Sequence, residues 1–459
     1  MSEYSLEKLE SGGYATVYKL GNSAVKLFDD LDAHDGDLYK ELDAACSIPP
    51  HANLCLAKEL LFIKSPVTNH KHPALVFELL TSNEEHYLYN ETIADLANAL
   101  NHIHEAGFVH LDVRDENIMF RDGVPVIIDF GMCKRLNFTS TDSSYVEEHE
   151  NIHVFSKNIL DSSNYTSVAS LGVNDIHCMS KKTDIFMFGI FVLNQYFIND
   201  RVRTLNEEDA VYPEDIEELV ADVINCAIRQ SHEKMHRALM KLAPTFEQFI
   251  EKRHIRYIID FIEKCFKGNL RVLKEHGFLS RYLAEEQEYI QPVFTSHKNA
   301  IKLSSKNKKI EHLKITKIEN KNEIIEFLIK LHKKIYIPSD SVLIQSMALC
   351  DRVNQKMTSE LQFDGMHFEN LFEKQKVFAG VVYLICAQFH FDSIEKEEVM
   401  SRVKINDETF FKIHCHVLSA LNGRLITKKP LATALKNILP KKTVKHMINF
   451  CKNNDLTAY

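Results

Sequence analysis

The sequence lacks closely spaced cysteine pairs, a basic excess and an apolar run long enough to span a membrane. Its 10 cysteines stand singly, which argues against a disulfide framework or a zinc site and favours reduced thiols. The net charge of −9 argues against nucleic-acid binding, because neutralising phosphates requires an excess of Lys and Arg. The apolar runs at residues 185–193 and 377–387 have about half of the ~20 residues that a membrane helix requires. Both are therefore predicted to be buried helices, and no membrane partner is expected.

The composition is that of a soluble, folded protein with more than one domain. Apolar residues make up 45% and charged residues 26% of the 459 residues, and this length predicts two or three domains. Reduced cysteines predict a cytoplasmic or nuclear location. The abundance of Lys, Asn and Ile resembles that of proteins from large DNA viruses or intracellular organisms, and for a virus the location would be the host cell.

The residue pattern divides the chain into three regions and a linker. Short β-like runs punctuated by glycine occupy the first region, at residues 14–20, 24–28, 54–63 and 74–80. From Ile93 to about residue 292 the apolar spacing is helical, and it is helical again over residues 323–459. Between these regions, residues 298–322 are rich in Lys, Asn and Ser, which predicts a solvated linker or, as the alternative, a basic docking segment.

Gly12 and Gly13 lie between two strand-like runs near the start of the chain. Glycines at such a turn let backbone N–H groups approach a phosphate that a Cβ would block. The pattern is incomplete, because Glu10 and Ala15 stand at two positions where a three-glycine loop would have glycine. A phosphate-binding loop and a plain turn between strands are therefore both open readings of this segment.

Lys26 follows two apolar residues in a predicted strand. A buried ammonium group without a partner is unfavourable, so a buried Lys26 requires an acidic partner. Glu41, in the helix predicted over residues 38–46, is the candidate partner. A lysine held by a glutamate would direct its charge at the α- and β-phosphates of a nucleotide. A strand lysine that extends to solvent is the alternative.

The segment at residues 110–117 carries the strongest chemical signal in the sequence. It reads His-Leu-Asp-Val-Arg-Asp-Glu-Asn, and an Asp-Phe-Gly motif begins twelve residues later at Asp129. Phosphoryl transfer depends mainly on in-line positioning and on neutralised charge. Asp112 is the candidate to accept the proton of an attacking hydroxyl group, and Arg114 is the candidate to stabilise the γ-phosphate. Asn117 and Asp129 carry the hard oxygen ligands that Mg²⁺ prefers.

These motifs resemble the protein kinase family over about residues 4–290, and most nearly its cyclin-dependent branch. The resemblance implies an α+β, bilobal kinase fold with a β-rich N-lobe (residues 1–80) and a helical C-lobe (residues 81–292). It also implies ATP and Mg²⁺ as cofactors and a protein substrate. It assigns adenine binding to the side chains of Leu9, Val17, Ala24 and Met119, to the gatekeeper Phe77, and to the backbone of Glu78 and Leu80. Asp184 matches the aspartate of the family's central helix, which braces the catalytic loop.

Two features depart from the family pattern. Leu111 stands where many kinases have the arginine that pairs with a phosphorylated activation loop, which argues against that mode of control. Phosphorylatable residues are nevertheless available in the loop, namely Thr139, Thr141, Ser143, Ser144 and Thr166. The segment from residue 132 to residue 182 is longer than usual and lacks the Ala-Pro-Glu motif that normally closes it.

Residues 323–426 read as five amphipathic helices, with Pro338-Ser339-Asp340 as a helix start and Asn406 as a helix cap. The periodicity alone predicts a helical bundle. The stretch resembles a cyclin box, which implies an all-α cyclin-like domain over residues 323–430 after the linker at 293–322, with a helical extension at 431–459. Gln388 and His414 replace the lysine and glutamate with which cyclins hold their kinase. An unrelated helical bundle is the alternative.

The combined pattern predicts a serine/threonine protein kinase that carries its own cyclin-like activator. Arg114, at the position where that class usually has lysine, supports the Ser/Thr preference. The cyclin-like domain would pack against the Glu41 helix and hold the Lys26–Glu41 pair closed. The alternatives are a small-molecule phosphotransferase of the kinase-like fold, which shares the catalytic motif, and an ATP-binding scaffold without activity.

Overall fold

The structure is a computed structural model, and it describes most of the two lobes and the helical bundle. The described residues are 7–11, 15–28, 36–65, 68, 70–81, 90–136, 181–197, 216–229, 231–246, 252–279, 302–303, 321–335, 340–356, 371–390 and 396–425. Gly12, Gly13, residues 137–180 and the extension predicted at residues 431–459 lie outside these ranges.

An antiparallel sheet forms the N-lobe. Its strands are β1 (Glu7–Ser11), β2 (Thr16–Leu20), β3 (Ser23–Leu27), β4 (Glu59–Lys64) and β5 (Lys71–Glu78), in the order β1-β2-β3-β5-β4. A two-residue turn joins β2 to β3, and Gly21 in this turn has a left-handed backbone with a φ of 62°. Such a short hairpin requires a positive φ, which glycine adopts without strain. The register places Lys26 opposite Val17 in β2 and Leu75 in β5.

Helix α1 (Gly36–Ser47) lies between β3 and β4 in the chain. Its buried apolar residues recur at helical spacing, at Leu38, Tyr39, Leu42, Ala45 and Cys46. This stripe belongs to the same apolar cluster as Leu60 of β4 and Leu75 of β5. Packing against the sheet therefore fixes the rotation of α1 about its axis, and with it the direction of the Glu41 side chain relative to β3.

The C-lobe is mainly helical. Its elements are α2 (Asn90–Glu105), β6 (Phe108–Val109), β7 (Ile118–Arg121), β8 (Val124–Ile127), β9 (Lys134–Arg135), α3 (Lys181–Phe197), α4 (Ile216–Ile228), α5 (His232–Phe246), α6 (Lys252–Phe266) and α7 (Val272–Glu275). Strand β7 pairs with β8, and β6 pairs with β9. A Cβ at Gly189 of α3 would lie 2.8 Å from the Cβ of Cys265 in α6, so only glycine permits this close helix packing.

Beyond the C-lobe, a short strand leads into the helical bundle. Strand β10 (Lys302–Leu303), inside the predicted linker, pairs in parallel with β4 and extends the N-lobe sheet at its edge. In the described part of the chain beyond β10, five helices follow: α8 (Lys321–Ile335), α9 (Asp340–Lys356), α10 (Leu371–His390), α11 (Lys396–Val403) and α12 (Asp407–Leu421). Helix α10 is the central one and is buried along most of its length.

The bundle packs directly against the N-lobe. Buried residues of α8, α9, α10 and α12 form one continuous apolar cluster with the stripe of α1 and with β4 and β5. Tyr39 of α1 and His414 of α12 share a hydrogen bond of 2.9 Å between the hydroxyl group and Nε2. The ring of Phe411 lies 4.2 Å from the ring of His72 in β5, measured between centroids. One core therefore joins the N-lobe and the bundle.

Several sequence predictions about elements are confirmed. The apolar runs at residues 185–193 and 377–387 lie in the buried helices α3 and α10. Helix α9 begins at Asp340, and the side chain of Asn406 caps α12 by accepting a hydrogen bond of 3.0 Å from the N–H of Thr409. Among the described helices, none is both long and apolar enough to cross a bilayer.

Candidate active site

Lys26 connects strand β3 to helix α1 and to the segment after β8. Its Nζ, on β3, donates a hydrogen bond to Glu41 Oε1 of α1 and another, of 3.0 Å, to Asp129 Oδ1 after β8. Burial lowers the pKa of Lys26, but the carboxylates of Glu41 and Asp129 outweigh this effect and hold the pKa well above its ordinary value. The side chain of Lys26 is therefore protonated. The predicted Lys26–Glu41 pair is present.

Asp129 lies two residues after β8 in a left-handed backbone conformation with a φ of 57°. Asp tolerates this region better than most residues because its side chain can bond the local backbone. Here Oδ1 accepts a hydrogen bond of 3.1 Å from the N–H of Gly131. Burial raises the pKa of Asp129, but Lys26 and the Gly131 N–H outweigh it, so that the pKa lies well below its ordinary value. Asp129 is therefore ionised, as a metal ligand must be.

Asp112 and Asn117 form the second half of the site. The amide nitrogen of Asn117 donates to Asp112 Oδ2 at 2.7 Å and to the Asp112 carbonyl oxygen at 2.8 Å. This orientation directs the side-chain oxygen of Asn117, Oδ1, away from Asp112. The N–H of Ile128 donates to the Asn117 carbonyl oxygen of the backbone at 3.0 Å, so β8 delivers Asp129 beside this loop. The structure therefore brings the predicted loop residues and Asp129 to one place.

The carboxyl group of Asp112 is buried, and one of its oxygens lacks a hydrogen bond from the described residues. Burial raises its pKa, while the positive charge of Arg114 opposes the shift. Arg114 Nε lies 3.4 Å from Asp112 Oδ1, and this buried oxygen accepts no hydrogen bond from the described residues. An unpaired buried acceptor at this position is suited to a donor brought by a substrate, and a raised pKa makes it a better base.

Asp184 holds the backbone of the catalytic loop in place, as the resemblance implied. The carboxylate is fully buried in α3 and accepts hydrogen bonds from the N–H groups of His110 and Leu111, at 2.8 Å and 2.7 Å. His104 Nε2 of α2 lies 2.8 Å from the same carboxylate. Leu111 has a left-handed backbone with a φ of 65°, an unfavourable conformation that these bonds stabilise.

The residues assigned to adenine binding lie on neighbouring strands. They are Leu9 in β1, Val17 in β2, Ala24 in β3, Phe77 and Glu78 in β5, Leu80 just after β5, and Met119 in β7. Ala24 pairs with Phe77 across the sheet. Thr81 forms two backbone hydrogen bonds of 3.0 Å with Phe120, which join the end of β5 to β7. The strand connections thus link the N-lobe strands to the strand that carries Met119.

Ion pairs that the sequence did not predict hold Glu78, at the end of β5, against its neighbours. Glu78, predicted to act only through its backbone, accepts hydrogen bonds from Arg121 of β7 at 2.7 Å and 3.2 Å. Lys58 Nζ lies 2.9 Å from the same carboxylate. Burial raises the pKa of Glu78, but Arg121 and Lys58 outweigh it and lower the pKa. No local pattern could reveal these partners, because they come from separate strands that only the fold brings together.

A sheet lobe, a helical lobe, a Lys–Glu–Asp cluster and an Asp–Asn loop form the arrangement expected of a protein kinase domain. The family model for the protein kinase domain matches residues 5–271, more than half of the chain. The chain therefore belongs to the protein kinase family. This finding confirms the protein kinase resemblance and the sheet-rich and helical parts of the predicted fold.

Curated relatives are similar over part of the kinase domain. A probable protein kinase of Dictyostelium discoideum is 37% identical over 105 residues, which cover 23% of this chain and 24% of the relative. The Wee1-like protein kinase of Arabidopsis thaliana is 30% identical over 128 residues, 26% of this chain and 25% of the relative. The serine/threonine-protein kinase Warts of Drosophila melanogaster is 37% identical over 150 residues, 32% of this chain and 13% of the relative. The chain thus spans about a quarter or less of these relatives.

Proposed function

We propose that the chain is a serine/threonine protein kinase that transfers the γ-phosphate of ATP to a protein hydroxyl group and is activated in cis by its helical bundle. The observation that carries the first part is the cluster in which Lys26 contacts Glu41 and Asp129 next to the Asp112–Asn117 pair. Arg114 and the names of relatives, Warts of Drosophila melanogaster and serine/threonine-protein kinase D of Synechocystis, support the Ser/Thr preference.

The donor set of the site fits an Mg²⁺-bound nucleotide. Asn117 and Asp129 offer an amide oxygen and an ionised carboxylate, the hard ligands that Mg²⁺ prefers. When bound, the metal would neutralise charge on the phosphates. Lys26, kept protonated by its two carboxylate partners, is suited to bind phosphate oxygens. Gly12 and Gly13, proposed to cover the phosphates, lie outside the described residues.

Asp112 is proposed to orient the attacking hydroxyl group and to accept its proton. Its Oδ2 is occupied by Asn117, whereas Oδ1 is buried and accepts no hydrogen bond from the described part of the chain. Arg114, 3.4 Å from Asp112 Oδ1, is close enough to stabilise the charge that moves with the phosphoryl group. The chain's own groups thus bind, orient and neutralise, which is the contribution that phosphoryl transfer requires of a protein.

The packing of the bundle against α1 supports activation in cis. Glu41 is carried by α1, whose apolar stripe is continuous with the bundle core. An α1 helix without this cover would expose Leu38, Tyr39 and Leu42, so the bundle favours the position in which Glu41 reaches Lys26. This arrangement is the one expected of a cyclin-like activator, and we propose that role for the bundle.

The two replaced cyclin positions have different environments. His414 contacts Tyr39 across the interface and stacks on Phe410, with centroids 5.3 Å apart. Gln388 is buried in α10, and its Oε1 has no hydrogen-bond partner among the described residues. A neutral hydrogen bond and apolar burial would therefore hold the bundle where cyclins use charges, helped by the high effective concentration of a tethered domain.

The substrate class can be tested directly with the purified full-length chain. With Mg²⁺ and ATP we expect phosphate transfer to Ser and Thr of generic protein substrates, and none to hydroxylated metabolites such as choline or aminoglycosides. Transfer to metabolites alone would favour the small-molecule phosphotransferase. Nucleotide binding without transfer to any acceptor would favour a scaffold.

Acidification is expected to weaken the contact between the bundle and the N-lobe. Burial, with His72 and Lys396 nearby, lowers the pKa of His414 to about 3 from the ordinary 6.5. Between these two pKa values the folded state binds fewer protons than the unfolded state. The contribution of neutral His414 to stability is therefore fully present above about pH 6.5 and is lost as the pH falls below that value. The slope for one such group is at most about 1.4 kcal/mol per pH unit.

The measurement is the unfolding midpoint of the full-length chain as a function of pH. A His414→Gln variant keeps a hydrogen-bonding side chain for Tyr39 but removes the titrating group, so its midpoint should fall less steeply. Equal slopes in the two proteins would show that His414 does not carry the pH dependence.

A further inference from the structure

A second ion pair connects α1 to the segment that follows Asp129. Arg135, in β9, donates from Nε to Asp43 Oδ2 at 2.6 Å and from Nη2 to Asp43 Oδ1 at 2.7 Å. Nη2 also donates to Ser47 Oγ, one turn further along α1. The Asp43 side chain is only 6% exposed. This bidentate ion pair between a guanidinium and a carboxylate group is directional, and a lysine could not reproduce it.

Arg135 also contacts the strand that leads into the catalytic loop. Its guanidinium carbon lies 4.7 Å from the centroid of the Phe108 ring. Phe108 is the residue opposite Arg135 in the β6–β9 pair, and the N–H of Leu136 donates to the Gly107 carbonyl oxygen at 2.8 Å. Strand β6 ends at Val109 and is followed directly by the loop that carries Asp112. Arg135 therefore bridges α1 and the base of the catalytic loop.

Helix α1 is thus bonded to both ends of the segment from Asp129 to Arg135. Glu41 reaches the first end through Lys26, which bonds Asp129. Asp43, two residues further along the same helix, bonds the other end directly. An outward movement or rotation of α1 would have to break both connections. The bundle covers the apolar stripe of α1, whereas this ion pair holds its polar side.

We propose that Arg135 is a positioning residue for phosphate transfer. Its ion pair with Asp43 fixes α1, the Asp129 segment and the catalytic loop in one relative arrangement, although Arg135 does not contact the reacting groups. This inference rests on the proposed kinase function. A buried ion pair adds little net stability compared with a well-packed apolar pair, but it is more directional. Its contribution should therefore appear in turnover more than in stability.

The test compares single and double replacements in the full-length chain. Arg135→Met alone should lower the unfolding midpoint, because it leaves the buried Asp43 carboxylate unpaired. The double variant Asp43→Leu/Arg135→Met should restore the midpoint to near the wild-type value. Its kcat should nevertheless stay about 5- to 150-fold below wild type, the usual range of coupling between sites, with little change in the KM for protein substrate. Amide hydrogen exchange in α1 should be faster than in wild type.

A matched control is the exposed Arg237–Glu233 pair of α5, whose atoms lie 3.1 Å apart. The double variant Glu233→Leu/Arg237→Met should leave kcat and exchange in α1 unchanged.

Wild-type kcat and wild-type exchange in the Asp43/Arg135 double variant would overturn the proposal. If the double variant does not fold, Arg135→Lys, which keeps the charge without the paired geometry, gives the same two readouts. If the wild-type chain transfers no phosphate, the proposed function fails, and exchange in α1 still decides the role of Arg135.

Discussion

Replacing Asp112 with Asn is expected to lower the turnover of phosphate transfer about 10²- to 10⁴-fold, the range for loss of a general base. Asp112 carries a buried carboxyl group with a raised pKa, and one of its oxygens is left for a substrate hydroxyl. Asn has nearly the same shape and keeps an acceptor for Asn117, so the loop should stay folded. The measurement is kcat at saturating ATP with a protein substrate, together with ATP affinity by calorimetry. The affinity should change little.

Asp122 offers a matched control for this substitution. It is exposed in the turn between β7 and β8 and has a left-handed backbone with a φ of 50°, which Asn also tolerates. Asp122→Asn should therefore leave both turnover and affinity unchanged. Wild-type turnover in Asp112→Asn would contradict the proposed role in proton acceptance. A large loss of ATP affinity would instead indicate a structural role for Asp112.

Removing residues 300–459 is expected to reduce turnover about 5- to 150-fold, the usual range of coupling between two sites. The deletion takes away the bundle and β10, so the apolar stripe of α1 and the edge of β4 become exposed. Without this cover, the position of α1 in which Glu41 contacts Lys26 is less stable, and the population of the active arrangement falls. The measurement is kcat for a protein substrate, with circular dichroism to verify that the kinase domain is folded.

A point variant in the full-length chain separates the effect of losing the contact with the N-lobe from the effect of removing the bundle. Phe411→Ala removes the ring that packs on His70 and His72 of the N-lobe, and it should reduce turnover in the same direction as the deletion. Tyr257→Ala, an aromatic truncation at the exposed face of α6, is the control and should have no effect. Unchanged turnover in both the deletion and Phe411→Ala would refute activation in cis.

The residues proposed for phosphate transfer were recognisable because they lie close together in the sequence. Asp112, Arg114 and Asn117 lie within one loop, and Asp129 follows shortly after β8, so residue type and spacing were enough to propose their roles. The partner of Lys26 was also predicted, because a buried ammonium group requires an acidic partner and Glu41 lies on the helix that follows β3. The β10 strand was not, because two residues in a Lys-rich segment carry no strand periodicity.

The ion pairs between elements could not be predicted in the same way. Arg135 and Asp43 are separated by 92 residues, and Arg121 and Glu78 by 43 residues. Each is a charged residue that, by its sequence context, would be read as solvated surface. Only the packing of α1, β7 and β9 against their neighbours brings these side chains to their partners.

The amino-acid sequence by itself determined the family, the candidate residues for phosphate transfer and the helical nature of the bundle, because residue type and spacing express these directly. Tertiary structure alone decided where the bundle packs and what holds α1 at its polar side. The physical reason is that apolar periodicity specifies that a face is buried but not against what. The partner of that face depends on which surfaces the whole chain brings together.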